Sequence, residues 1–436
     1  MITNVVLVHG YSVRSLDTYG KLPQLLIAAG IHPTSIYLSA FDSLNDDITC
    51  DDLAKALEFR VLELIRAQGI DLQHTAFVCH STGAIITRRW LLNRYANNLP
   101  VPRLLVTMAG ANHGSTLAQL GKSQLAFFLR HVFQQSSVGQ EVLEDLDYGS
   151  LFLLKLNEDW LEAYNSATPP SCYAFSMIGD DHSEPDHQLF WQTKESGSDG
   201  TVRICGGNLN YEMLSIDLTA AHPVLNVKRL AAPVPFIVLT GYSHTGGKGI
   251  IDALEKNTDP PFVELLKALA VASDSDYQKV RDDWQSQTVR WIAAHNSDCN
   301  ATAVFSLQHP GARRIEDSLI LISDNKNEYL SVTTALQGHQ PIQNDTNLSS
   351  FSFYFNQPTF AGTSPHKLHI EVHSGSDEIT YTDIDYVIPP EQASLLRPNQ
   401  FTYMAMTLDR NATGTYKLLV FDPTRDPTKK WLPLPS

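Results

Sequence analysis

The chain has 436 residues, too many for one typical domain, and at 43% hydrophobic and 18% charged it has the apolar mass of ordinary folded units, about two or three by length. A net charge of −15 with no basic cluster argues against nucleic acid as a partner and against docking on anionic lipid by charge alone. Five widely spaced cysteines (Cys50, Cys79, Cys172, Cys205, Cys299) fit neither a disulfide framework nor a CxxC metal site, so they are expected to be buried, reduced thiols.

Met1 to Asn4 run straight into the apolar Val5–Val8, with no basic segment and no cleavage site, so no signal peptide is expected and synthesis in a cytosol is. No window approaches the roughly 18 apolar residues of a membrane-spanning helix. The sequons at Asn300, Asn344, Asn347 and Asn411 are therefore read as chance matches. Val5–Val8 is a predicted strand ending at His9-Gly10-Tyr11-Ser12. Helix 19–29, a strand near 35–38 and an amphipathic helix over 51–68 follow.

Residues 75–78 form a short apolar run that reads as a buried strand, and residues 84–97 carry Ile85, Ile86, Trp90, Leu91 and Leu92 at helical spacing. Between them stands Cys79-His80-Ser81-Thr82-Gly83. A strand that turns into a helix within two residues strains its middle residue and thrusts that side chain out at the carboxyl edge of a sheet. This is the arrangement of a nucleophile elbow, G-x-S-x-G in its usual form, with Cys79 here in place of the first glycine.

Strand 104–108 opens into Ala109-Gly110-Ala111-Asn112-His113-Gly114-Ser115. Beyond it, 116–165 is helical in pattern and greasy, with Leu125, Phe128, Leu129, Val132 and Phe133 on one stripe and Leu117, Leu120 and Phe127 nearby. Two readings stand for this segment: a cap on the core, or a lid or acyl-binding wall in which Phe127, Phe128 and Leu129 line the substrate. Strand 172–179, a polar loop over 180–200, a last strand over 236–240 and helical pattern to about 296 complete an α/β region. Strands alternating with helices imply a mostly parallel sheet covered on both faces, with its chemistry at the carboxyl ends of the strands.

Near residue 300 the pattern changes to short alternating runs at 320–322, 351–355, 368–373, 379–387, 401–407 and 416–421, separated by Gly, Asn, Asp and Pro. The expected architecture is an α/β unit over 1–298, with a lid-like helical insertion over 116–170, followed by an all-β, antiparallel sandwich-like unit over 299–436.

A serine hydroxyl needs an imidazole to take its proton, and the imidazole needs a carboxylate to hold its tautomer. In a strand-turn-helix elbow fold the chain order is Ser, then acid, then His. Asp199, in the small-residue turn Gly197-Ser198-Asp199-Gly200, and His244, directly after the last strand, fall in that order behind Ser81; Thr245-Gly246-Gly247 reads as the start of the next helix. Asp180, Asp181 and Asp186 compete for the acid, and His182, His187 and His222 for the base. His113 reads as a structural loop residue and His80 as a residue that shapes the turn. The backbone N–H groups of Thr82 and Tyr11 are the expected oxyanion donors. His369-x-Glu371-x-His373 lies on one strand face and reads as a polar solvent face rather than a metal site. This chemistry needs no cofactor and no metal.

Together these motifs, with Ser243-His244-Thr245-Gly246, resemble bacterial serine lipases of the α/β-hydrolase superfamily, and most specifically the PlaB-type cell-associated bacterial phospholipase A. The likeness rests on the His-Ser-Thr-Gly elbow, on a start without a signal sequence, and on a hydrolase region joined to a β-rich C-terminal region. It implies Ser81 as nucleophile, Asp199 as acid and His244 as base, acting on phospholipids and lysophospholipids. It also implies peripheral association with a bacterial membrane and homo-oligomers. With a charge of −15, membrane contact would have to be apolar, and Lys429-Lys430-Trp431-Leu432-Pro433-Leu434-Pro435 is a candidate interfacial anchor or else an ordinary packing segment.

Overall fold

The computed structural model describes residues 2–10, 16–36, 45–115, 139–183, 195–219, 224–295, 298–310, 314–315, 342–356, 367–370, 384–387 and 398–408. Strands β1 (Asn4–Val8), β2 (His32–Ile36), β3 (Thr75–His80), β4 (Leu104–Met108) and β5 (Tyr173–Gly179) alternate with helices. These are α1 (Leu22–Ala28), α2 (Cys50–Gln68), α3 (Gly83–Ala96), α4 (Gln140–Leu146) and α5 (Leu151–Tyr164). The one-turn helix α6 (Ile204–Gly207) precedes an antiparallel pair, β6 (Tyr211–Asp217) and β7 (Val224–Arg229). Strand β8 (Phe236–Leu239) and helices α7 (Pro260–Leu269) and α8 (Asp274–Ala294) follow.

Six strands form one all-parallel sheet in the order β2-β1-β3-β4-β5-β8. It is buried on both faces, which is why its strands read as unbroken apolar runs rather than alternating ones. Val6, Val8, Phe77, Cys79 and Leu105 face α2, α3 and α5, while Val5, Leu7, Ala76, Val78 and Val106 face α1, α7 and α8. The chain leaves β1 toward β2 on one side and returns to β3 on the other, so the order reverses between β1 and β3. A crevice at the carboxyl ends of the strands is expected at such a reversal, and His9-Gly10 and Ser81 flank it.

Local signals set the helix limits. Thr49 and Asp52 close a capping box at the start of α2, and Gly69, at φ 65°, ends it in the left-handed conformation that glycine adopts without a Cβ penalty. Ser150 and Ser273 cap α5 and α8 by accepting backbone N–H groups. Beyond His244 the sequence-based helix start fails: residues 245–259 form turns, and the next helix begins at Pro260, behind Asp259. Pro at the first helical position fits this start, whereas Gly246 and Gly247 favour a turn.

The second sheet departs from the expected antiparallel sandwich. Its order is β10 (Ile342–Gln343), β11 (Ser350–Asn356), β9 (Asn300–Gln308), β14 (Phe401–Thr407), then β6 and β7. Strand β14 runs parallel to both β9 and β6, and the other pairs are antiparallel, so the sheet is mixed. It also draws strands from both sides of residue 298. Tyr211 on β6 shares one apolar core with Val304, Tyr354, Phe401 and Tyr403, and that core continues into the α2–α3–α5 side of the first sheet. Strands β12 (Lys367–Ile370) and β13 (Ile384–Val387) pair antiparallel by themselves.

The described half of 116–170 is built as core. Leu153, Leu156 and Trp160 of α5 are fully buried, and α5 packs against α3. Residues 116–138, with Phe127, Phe128 and Leu129, lie outside the described residues, as do Tyr11, Glu371, His373 and the segment 429–435. Asn300, Asn344 and Asn347 are buried and engaged in hydrogen bonds, which suits structural asparagines rather than glycan acceptors. Among the described residues no helix is long and apolar enough to cross a membrane.

Candidate active site

Ser81 directly follows β3 with φ 54°, a left-handed backbone that costs a non-glycine residue about 1–2 kcal/mol. The strain is held by contacts on both sides. The Ser81 carbonyl accepts N–H groups from Ala84 (3.1 Å) and Ala111 (3.2 Å). A Cβ on Gly83 would lie 2.6 Å from the His9 carbonyl oxygen, so only glycine lets the helix start this close to β1. Cys79, in the position where the usual pattern has glycine, is accommodated because its side chain turns to the helix side and its Sγ meets Thr87 Oγ1 at 3.2 Å. Burial pushes its thiol pKa up to about 12, so it remains protonated and is not a rival nucleophile.

His244 Nε2 lies 3.0 Å from Ser81 Oγ, and His244 Nδ1 lies 2.9 Å from Asp199 Oδ2. A carboxylate can only accept, so Nδ1 carries the hydrogen and the neutral ring leaves Nε2 free to accept the Ser81 hydroxyl proton. Asp199 is fully buried, and its second oxygen accepts N–H groups from Thr201 (3.0 Å) and Val202 (2.8 Å), which fixes the plane of the carboxylate. The His244 N–H donates to the Asp199 carbonyl at 2.9 Å, tying the two loops together by backbone as well as side chain. Ser81, His244 and Asp199, far apart in sequence, therefore form one continuous hydrogen-bonded line.

The other candidates have different partners. Asp180 accepts from Gly241 N and Trp291 Nε1, and Asp181 pairs with Lys248. His113 is fully buried, donating from Nε2 to the Asn208 carbonyl (2.8 Å) and meeting the Tyr403 hydroxyl at Nδ1 (3.1 Å). Asp186, His187 and His222 lie outside the described residues. Thr82 is buried at the N-cap of α3, where backbone N–H groups have no partner within the helix. Among the described residues no cluster of His, Cys, Asp or Glu could hold a metal ion.

The sequence reads His80 as a residue that shapes the turn, and the structure gives it a more specific place. Its Nε2 donates to the His244 carbonyl at 3.1 Å, and the two rings pack with centroids 4.7 Å apart. Burial, and then the neighbouring His244, lower the His80 pKa to about 3, so the His80 ring stays neutral beside His244. His9, at the end of β1, is also buried and holds the Gly10 carbonyl from Nδ1 at 2.7 Å.

No family model matches the chain, and no curated protein matches it by sequence. Among solved structures it is similar to phospholipase PlaB from Legionella pneumophila, at 26% identity and a TM-score of 0.81, with 94% of each chain covered. It is also similar to the same phospholipase in complex with thio-NAD, at 25% identity and a TM-score of 0.79, again with 94% of each chain covered. The chain thus shares with the PlaB-type phospholipase, over nearly its whole length, an α/β-hydrolase fold joined to a C-terminal β region.

Proposed function

We propose that this chain is a serine hydrolase that cleaves fatty-acyl esters of phospholipids and lysophospholipids through an acyl-enzyme. The observation that carries the reading is the line Ser81 Oγ–His244–Asp199, at 3.0 and 2.9 Å, on a strained elbow at the reversal point of the sheet. Ser81 Oγ attacks the ester carbonyl as His244 Nε2 takes its proton, and Asp199 holds the ring and stabilises the imidazolium. The Thr82 and Tyr11 N–H groups receive the oxyanion. His244 then protonates the departing alcohol, and a water activated by the same nitrogen releases the fatty acid and restores Ser81.

Phospholipid as substrate is supported by the likeness to PlaB along nearly the whole chain. Phe127, Phe128 and Leu129 are the proposed acyl-chain wall. Peripheral contact with a bacterial membrane and assembly into homo-oligomers belong to the same reading. The test is hydrolysis of phospholipid and lysophospholipid vesicles beside a chain-length series of simple esters, for wild type and Ser81→Ala. Loss of all activity in Ser81→Ala, with preference for long-chain lipid, is the expected result. Preference for short monomeric esters would make the chain a soluble carboxylesterase or thioesterase. Wild-type rates in Ser81→Ala would remove Ser81 as nucleophile.

A further inference from the structure

Asp199 is not carried on a strand end of the parallel sheet. It lies on the turn from Glu195 to Arg203, which contains two glycines at positive φ, Gly197 (76°) and Gly200 (94°). Hydrogen bonds within the turn set its shape, Asp199 N–H to the Val202 carbonyl at 3.1 Å, Ile204 N–H to the Gly197 carbonyl at 2.9 Å and Ser198 Oγ to the Glu195 carbonyl at 2.6 Å, and what they leave open is where the turn sits against the rest of the chain. Its inner side faces His244, while its outer side is gripped by residues that come about a hundred or more positions later in the chain.

The grip is built from β9, β11 and the approach to β9. The Tyr354 hydroxyl donates to the Ser196 carbonyl at 2.5 Å, and Asn300 Nδ2 donates to the same oxygen at 2.7 Å and to the Tyr354 hydroxyl at 2.8 Å. Ser196 Oγ donates to Asp298 at 2.5 Å. A Cβ on Gly197 would lie 2.6 Å from the Asp298 carbonyl oxygen, so the turn and the strand entry are in direct backbone contact. The two ends of the turn are clasped by a two-pronged ion pair, Arg203 Nε to Glu195 at 2.8 Å and Nη2 at 3.0 Å. That guanidinium sits between the rings of Tyr354 (4.0 Å) and Tyr148 (4.7 Å). Glu195, Arg203, Tyr354 and Asn300 are all buried.

We propose that Tyr354 and Asn300 are positioning residues for Asp199, so that the second sheet is a working part of the hydrolytic site. The inference rests on the reading of Ser81, His244 and Asp199 as the triad. With the Ser196 carbonyl pinned from outside, the carboxylate is held at its distance from His244 Nδ1 before substrate arrives. With the pin removed, Asp199 loses register with the imidazole while Ser81, Thr82 and the substrate-contacting surfaces stay in place. The loss should therefore fall on kcat and leave KM unchanged.

The experiment compares wild type, Ser81→Ala, Asp199→Asn, Tyr354→Phe and Tyr354→Phe/Asp199→Asn on a short p-nitrophenyl ester, with active sites counted by a fluorophosphonate. Tyr354→Phe is expected to lower kcat per active site about 10- to 100-fold, in line with a small misplacement of a catalytic group. The acidic limb of its kcat/KM profile should move to lower pH, because an imidazolium without its carboxylate loses its proton more readily. The far-downfield proton resonance of His244 Nδ1–H should shift or broaden, and in the Asp199→Asn background the Tyr354 change should have no further effect. Asn300→Ala, which removes the other donor to the same carbonyl, is scored the same way and replaces Tyr354→Phe if that variant does not fold. An unshifted pH limb and resonance, or effects that simply multiply with Asp199→Asn, overturn the proposal. Hydrolysis that survives in Ser81→Ala overturns the triad reading instead, so the two failures are told apart.

Discussion

Gly10→Ala tests the elbow's geometry without replacing any proposed catalytic residue. Gly10 is not among the glycines with positive φ, so an alanine backbone is allowed there. Its Cβ would lie 2.6 Å from Ser81 Cβ, 0.8 Å short of the 3.4 Å at which ordinary contact begins (3.4 − 2.6). Ser81 cannot swing clear, because its carbonyl is held by Ala84 and Ala111 and its Cβ is one bond from the strained backbone. The added methyl must therefore push Ser81 away, and a displacement of that size stretches the 3.0 Å contact to His244 Nε2 beyond hydrogen-bond length. A misplacement near 1 Å costs about 100-fold in rate, or about 2.7 kcal/mol of transition-state stabilisation. Steady-state hydrolysis of a p-nitrophenyl ester and the rate of fluorophosphonate labelling should fall together, while the circular dichroism spectrum stays that of the wild type. Hydrolysis and labelling at wild-type rates would refute the close approach of β1 to the elbow.

Asp199→Asn should lower kcat by about 10⁴-fold with little change in KM, since an amide can present its N–H to Nδ1 and fix the wrong tautomer; steady-state kinetics check it. Ser81→Gly should abolish ester hydrolysis and raise stability by about 1 kcal/mol through relief of the 54° φ, read as a higher denaturation midpoint. Burial raises the Asp145 carboxyl from its ordinary 3.8 to about 6, so the stability it contributes is fully present below 3.8 and is lost as pH rises through about 6. Asp145→Asn should therefore gain on the wild type by about 2–3 kcal/mol between about pH 4 and about pH 7, measured by urea unfolding at each pH. His80 has the opposite sign: with its folded pKa lowered to about 3, the unfolded chain takes up a proton below 6.5 that the folded chain refuses, and stability falls as pH drops through that window. His80→Gln should be free of that loss, and its deficit relative to wild type should shrink by about 2 kcal/mol between about pH 6.5 and about pH 5.

The parallel sheet was legible because both of its faces are buried and its strands are continuous apolar runs; β4 has the residues the sequence suggests, and the helix after Ser81 matches to within a residue. Strands β6 and β9 were not legible. Their polar residues are covered by partners that the local sequence does not show, Asn300 by the Ser196 carbonyl, Thr302 by Arg203 and Cys205, and Glu212 by Arg229, so they are buried despite their polarity and the hydrophobic period is blurred. The join at residue 298 shows the same limit. A change in local pattern marks where helices give way to strands, but which strands share a sheet is decided by long-range pairing, here β14 between β9 and β6. Asp199 was traceable through its small-residue turn. The clasp around it was not, because nothing near Tyr354 or Asn300 in sequence refers to a turn more than a hundred residues earlier.

Chain order alone also does not explain how His244 reaches Ser81. In the sheet, β8 lies three strands from β3, a separation of about 14 Å at the usual spacing. The loop after β8 must therefore run back across the ends of β5 and β4, and the first obstacle is the end of β5. Gly179 stands there, and a Cβ on it would lie 1.9 Å from the Tyr242 carbonyl oxygen. The same carbonyl accepts the Asp181 N–H at 2.9 Å, so the crossing is both permitted and pinned at that point. From Tyr242 the chain needs two more residues to bring the imidazole over the elbow, where the His80 donor and the Asp199 carbonyl hold the backbone of His244. His244 is thus aimed by three hydrogen bonds to the backbone of Tyr242 and His244, from Asp181, His80 and Asp199, besides the two contacts of its ring. That explains how a histidine that follows the edge strand comes within 3.0 Å of a serine near the middle of the sheet.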